Sequence, residues 1–226
     1  MSKRLLQVRR LGRIEYADAL RLQKETEQAV LERRQPDTLL LLEHPHTYTL
    51  GRRGNENGIL ATPELLEKLE VSVFETNRGG KITYHGIGQI VGYPIFNLSP
   101  DREDVHRYVR EIEESLIRAI GDFGLEGFRI EGLTGVHTQF GKVAAIGVHL
   151  RRWVTTHGFA LNVNTDLSFF NYIVACDGEP VASMNQLLSR EFELSEVEDK
   201  IINRFAEVYD FDQVEEIVSG QIEIAA

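Results

Sequence analysis

The chain has 226 residues, 42% of them hydrophobic, enough for a sizeable core in one large domain or two small ones. Its 25 Lys and Arg against 35 Asp and Glu give a formal charge of −10, which argues against non-specific nucleic-acid binding. One cysteine excludes an intramolecular disulfide framework and fits a reducing compartment. No apolar run reaches membrane-spanning length and Met1–Arg10 lacks a signal-peptide core, so the expected location is cytoplasmic, away from membranes.

Leu5–Val8 reads as a short strand and Ala17–Arg33 as a helix ended by Pro36-Asp37. Thr38–Glu43 contains Leu39, Leu40, Leu41 and Leu42 in succession, the pattern of a strand buried on both faces in the middle of a sheet. Glu43–Gly54 reads as a loop or extended segment with a basic end. His44 and His46 share a face there if the chain is extended. With no HExxH or CxxC pattern beside them, no metal site is expected. Thr62-Pro63-Glu64 has a hydroxyl, a proline and an acid in the order that starts a helix.

Val71–Glu75 and Ile90–Phe96 read as strands on either side of the stretch Arg78-Gly79-Gly80-Lys81-Ile82-Thr83-Tyr84-His85-Gly86-Ile87-Gly88-Gln89. So glycine-rich and polar a stretch reads as a loop, and it is costly between two core-forming runs unless it lines a ligand. Its spacing matches neither GxGxxG nor GxxxxGK[ST], which argues against nucleotide sites of those kinds. Ser99-Pro100-Asp101 is expected to open a long amphipathic helix carrying Val105, Tyr108, Val109, Ile112, Leu116, Ile120 and Phe123.

Lys142–Leu150 reads as a strand, turned by Arg151-Arg152 into an antiparallel partner over Trp153–Val163. Asp166–Tyr172 is loop or short helix, and Ser183–Leu188 a helical turn or two. Ser195-Glu196-Val197-Glu198 is a capping-box pattern opening a C-terminal helix over about 195–209. Helices and strands alternate irregularly, with at least one hairpin and no convincing linker. That predicts an α/β or α+β fold with a mixed sheet, not a doubly wound parallel one.

Cys176 lies in a polar turn, Asp177-Gly178-Glu179-Pro180. A lone cysteine is most often a small buried hydrophobe. In such a turn it is a candidate nucleophile, provided a neighbour stabilises the thiolate or takes its proton. Lys142, at the head of an apolar run, is the leading partner. Its competing reading is a strand-end lysine with its ammonium in water. His85 and His157 are the histidines expected in a site, or else they hold loops in shape.

Together these stretches resemble the lipoyl(octanoyl) transferases. Arg78–Gln89 matches the family signature RGGxxTxHxxGQ, and Glu43-His44-Pro45 with Tyr48-Thr49-Leu50-Gly51-Arg52 resembles its N-terminal block. Gly141–Gly147 resembles the block around the family's essential lysine, and His157–Val163 the block that follows. Cys176 falls where the family keeps its acyl-accepting cysteine. The chain departs from the common pattern at Ala175-Cys176-Asp177, where Pro-Cys-Gly is usual, and at His137, where tryptophan is frequent.

The resemblance implies one catalytic domain over residues 1–226 with the fold of biotin/lipoate protein ligases, a mixed sheet flanked by helices. It implies transfer of an octanoyl or lipoyl group from acyl carrier protein to a specific lysine of lipoyl domains, the first step of endogenous protein lipoylation. The acceptors would be the E2 subunits of 2-oxoacid dehydrogenases and the glycine cleavage H protein. A thioester is already activated, so no cofactor, ATP or metal is implied. Cys176 would carry the acyl group and Lys142 would assist it. Arg78, Gly79, Gly80, Lys81, Ile82, Thr83, Tyr84 and His85 would wall the acyl channel, with Ala145, Ile146, Gly147, Gly158, Phe159 and Ala160 giving it room. Arg52, Arg53, Arg78, Lys81, Arg151 and Arg152 are a candidate basic rim for the acidic carrier. An ATP-dependent ligase on the same scaffold and a non-enzymatic acyl-binding module are the rival readings.

Overall fold

The computed structural model describes residues 4–175 and 178–217. Ten strands form two sheets. In chain order they are β1 (Leu5–Arg13), β2 (Asp37–Glu43), β3 (Thr47–Leu50), β4 (Ser72–Glu75), β5 (Ile82–His85), β6 (Gln89–Ile95), β7 (Val136–Thr138), β8 (Gly141–Arg151), β9 (Val154–Asn162) and β10 (Gln213–Glu216). The helices are α1 (Tyr16–Leu31), α2 (Pro63–Lys68), α3 (Val105–Gly121), α4 (Met184–Leu188) and α5 (Leu194–Val208), and Leu167–Tyr172 is a 3-10 turn.

The main sheet has the order β10-β1-β2-β6-β9-β8-β7. β1 pairs parallel with both β10 and β2, and every other pairing is antiparallel. The sheet is therefore mixed, flanked by helices, as expected. The leucine run of β2 explains the layering. Leu39 and Leu41 enter the core with Ile112, Leu116 and Ile120 of α3 and Ile201 and Phe205 of α5. Leu40 and Leu42 enter the opposite core with Ala19 and Val30 of α1. Side chains alternate faces along a strand, so an unbroken apolar run fits only where both faces are covered. Each such leucine contributes about 1.5–3 kcal/mol of burial.

The small sheet, β4-β3-β5, pairs β3 parallel with β4 and antiparallel with β5. Ile82–His85 is thus a strand, where the sequence suggested loop. All four of its residues are buried, so the strand gives no polar/apolar alternation to read. The long helix begins at Val105, later than Ser99-Pro100-Asp101 suggested, because the Asp104 carboxylate accepts the Arg107 N–H at 3.0 Å and caps it there. The C-terminal helix begins at Leu194 after Glu193, with no side-chain cap, so the Ser195–Glu198 pattern is not its start. Thr62 does cap α2, accepting the Leu65 N–H.

Candidate active site

A cavity of about 440 Å³ opens between the two sheets, within the range of small-molecule sites. One side is the β8–β9 hairpin, where Ala145 pairs with Ala160, Ile146 with Phe159 and Gly147 with Gly158. These six residues line the space, with the Phe159 ring also stacked on Phe205 at 5.5 Å.

Lys142 joins them through an irregularity. The β7–β8 register slips by one residue between Val136 and His137, so Val143 and Ala144 both enter the core. Lys142 then lines the cavity together with Ala145, three residues on. A segment from further along the chain crosses here. The Lys142 N–H donates to Pro180 O at 2.8 Å and the Ala182 N–H to Lys142 O at 2.9 Å. Gly141 permits that crossing. Its φ is +143°, and a Cβ would stand 2.6 Å from Pro180 O.

The facing side is the signature stretch. Arg78, Gly79, Gly80, Lys81, Ile82, Thr83 and His85 all line the cavity. Tyr84 does not. Alternation along β5 turns it to the other face, where its hydroxyl meets His46 Nδ1 at 2.8 Å and its ring stacks on Phe169 at 5.0 Å. Arg78 is a staple of this side. Its Nη2 donates to Thr49 O at 2.6 Å and to Lys81 O at 3.1 Å, and its Nη1 donates to Gly79 O at 2.9 Å. The Gly79 N–H in turn donates to Val148 O on β8 at 2.9 Å, tying the stretch to the hairpin. The Thr83 hydroxyl is buried, lines the cavity and has no hydrogen-bond partner among the described residues.

The histidines hold structure here. His85 Nδ1 lies 3.0 Å from Gln89 Oε1, and Gln89 is itself fixed by Asn162 at 2.9 Å. Burial, with His44 and Arg78 nearby, holds His85 well below the usual histidine value. His157 also borders the cavity, with Nε2 2.7 Å from Asn77 Oδ1. Desolvation pushes it down to about 3. His44 meets Ile14 O and Tyr93 Oη, each at 2.8 Å, and burial lowers it to about 4. His44 and His46 thus turn to separate partners, and no metal-holding cluster of three or more groups is found among the described residues. No described helix is long and apolar enough to cross a membrane.

Two features were not foreseen. Glu179 lines the cavity with Oε2 2.7 Å from Lys142 Nζ. The polar turn around Cys176 was visible in the sequence, but nothing there links positions 142 and 179. Val105, Val109, Gly132, Leu133 and Thr134 close another side. The six basic residues do not form one rim. Arg78 is buried, and Arg151 lies at the far end of β8 against Glu27 and Gln28 of α1. Cys176 lies outside the described residues, as does Asp177. Before them, Ala175 bridges Ile82 of the small sheet, and after them Val181 bridges Lys142 of the main sheet.

The profile of the lipoyl protein ligase A/B catalytic domain matches residues 15–206. An octanoyltransferase of Solibacter usitatus is 50% identical over 208 residues, which cover 92% of this chain and 94% of the relative. An octanoyltransferase of Myxococcus xanthus is 47% identical over 216 residues, 92% of this chain and 60% of that longer protein. A bi-partite lipoate protein ligase of Thermoplasma acidophilum superposes with a TM-score of 0.72 at 18% identity, covering 97% of this chain and 88% of its own; it shares the fold.

Proposed function

The chain belongs to the lipoyl protein ligase A/B catalytic-domain family, and we propose that within it the protein is an octanoyltransferase working through a Cys176 thioester. The observation that carries this reading is the placement of Lys142. It is 7% exposed and borders the cavity of about 440 Å³ between the signature stretch and residues 145–147 and 158–160 of β8 and β9. A medium-length acyl chain fits a cavity of this size, with the glycines and alanines of β8 and β9 leaving room for it beside the apolar Ile146 and Phe159. The octanoyltransferase relatives support the choice of acyl group.

In this reading the Cys176 thiolate attacks the octanoyl carbonyl of the carrier thioester. Lys142 first takes the Cys176 thiol proton; a new C–S bond then forms, the carrier C–S bond breaks, and the phosphopantetheine sulfur leaves with the proton returned from Lys142. The lysine amine of a lipoyl domain then attacks the acyl-enzyme. A C–N bond forms, the Cys176 C–S bond breaks, and the amine proton passes to the now neutral Lys142, which restores its ammonium beside the released thiolate. The Lys142 ammonium stabilises the thiolate at both stages. Both substrates are carried by proteins of the same compartment, here the cytoplasm.

Incubation with octanoyl-acyl carrier protein should add one octanoyl mass, removable by hydroxylamine and absent from Cys176→Ala. Turnover by Cys176→Ala would refute the mechanism. ATP-dependent transfer of free octanoate would establish the ligase reading instead, and acyl binding without transfer would establish a binding module.

A further inference from the structure

The mechanism above leaves the carboxylate of the described cavity lining, Glu179, unused. Glu179 sits between two other titratable side chains, with one carboxylate oxygen 2.7 Å from Lys142 Nζ and the other 3.5 Å from His137 Nε2. Lys142 and His137 are 7% and 2% exposed, so this is no solvent-screened surface pair. Among the described residues, neither ring nitrogen of His137 has a hydrogen-bond partner. An imidazole buried this way is ordinarily anchored. Burial and the Lys142 ammonium push His137 below the usual histidine value, so it faces Glu179 as a neutral ring.

We propose that Glu179 is the positioning residue of Lys142: its carboxylate fixes Nζ at the cavity wall and sets how much of the ammonium's field reaches the thiol. The inference rests on Cys176 and Lys142 being the reacting pair. Several features fit it. The backbone of Glu179's own segment is pinned to Lys142 by the bonds at Pro180 and Ala182, so carboxylate and ammonium are held by one local frame. His137, on β7, supplies a flat neutral neighbour that adds no competing charge. Among the described residues, the other charged groups near this corner sit on α3 and along the cavity. Glu113 of α3 is paired with Arg110 and Arg129, and Arg53, Arg78 and Lys81 line the cavity further along. Of these, Glu179 is the carboxylate in contact with Lys142.

A counter-ion on the catalytic lysine has two opposite effects. It holds Nζ where the reaction needs it, which favours turnover. It also offsets the positive charge that stabilises a thiolate, which disfavours ionisation. Glu179→Gln separates the two. The rate of Cys176 alkylation by iodoacetamide, followed against pH, should shift to lower pH. At neutral pH it should rise about three- to tenfold, the change in thiolate fraction expected when a thiol with a pKa of roughly 8.5 moves down by about half to one. Octanoyl transfer by the same variant should fall about tenfold to 10²-fold in kcat, the penalty of a misplaced catalytic group, with KM for the carrier little changed. Lys142→Ala should slow alkylation, the opposite sign.

Glu179→Asp keeps the charge and should return the alkylation profile to that of the unaltered protein. The alkylation readout needs no turnover, so it tests Glu179 even if the transferase reading fails. An unaltered protein without an acyl adduct would sink that reading alone. A Glu179→Gln profile that overlays the original, or that shifts the same way as Lys142→Ala, would overturn the proposal. So would a loss of kcat that Glu179→Asp shares in full while its alkylation profile stays displaced.

Discussion

Gly147→Ala is the most direct test of how the cavity is built. Gly147 lies on β8 opposite Gly158. A Cβ added there would stand 2.8 Å from Gly79 O and 3.2 Å from Arg78 Cδ. Neither neighbour retreats easily. Gly79 is held to β8 by its N–H bond to Val148 O, and the Arg78 guanidinium is committed to the carbonyls of Thr49, Gly79 and Lys81. Overpacking at such a site costs about 1–3 kcal/mol. At about 2–4 °C per kcal/mol for a chain of this size, the melting temperature should fall by about 2–12 °C. The methyl also pushes the signature stretch away from the hairpin, so octanoyl transfer should weaken and the ranking of shorter and longer acyl chains should change. Thermal melts and steady-state transfer with carriers of different chain length read both effects. A variant with unchanged melting and an unchanged chain-length profile would refute the close packing of Arg78-Gly79 on β8.

Other expectations follow from single observations. Thr83→Val removes a buried hydroxyl that has no partner among the described residues, so stability should hold or rise by about 1 kcal/mol while transfer slows; a melting temperature that drops would show the hydroxyl to be bonded in solution. His44 and His157 are depressed to about 4 and about 3, below the unfolded value of about 6.5. The unfolded chain therefore takes up protons first as pH falls. Stability is fully present above pH ~6.5 and is lost progressively toward pH ~4, on the order of 1–2 kcal/mol per histidine by pH ~5. Urea midpoints across this window should slope down, and His157→Gln should flatten the slope. Arg53 borders the cavity and Arg52 beside it is exposed, so reversing both charges should lower kcat/KM for the carrier most at low salt. The same change at Arg151, which is paired with α1, should not, and equal losses at the two places would discard the localised patch.

The main elements were legible because their physics is local. The β2 leucines need two covered faces, the α3 stripe has helical spacing, and Arg151-Arg152 stands between two apolar runs. Residues of the motif blocks, Lys142 included, border the cavity. Legibility failed where long-range contacts decide. β5 shows no alternation because Thr83 and His85, which line the cavity, are as buried as Ile82 and Tyr84, which pack into the Phe169 cluster while Ile82 also borders the cavity. β7 is three residues long, and β10 is exposed along its whole length, so neither carries a hydrophobic pattern. The Glu179–Lys142 pair spans distant positions brought together by the bridge at Val181. No periodicity announces a contact of that kind.

The stretches ending at Ala175 and beginning at Pro180 are fastened to different sheets. Upstream, residues up to Ala175 are fastened to the small sheet and its surroundings, through Leu60 N–H to Tyr172 O, Val174 N–H to Gly58 O and the Ile82 bridge. Downstream, Pro180 to Ala182 are fastened to β8 and, through the Asn162 amide, to β9. Ala175 and Val181 thus anchor neighbouring stretches of chain to two different sheets, and Lys142 belongs to the second. Tilting one sheet against the other therefore moves these two anchors and the cavity walls together, so the width of the cavity and the spacing of its anchoring segments change in step.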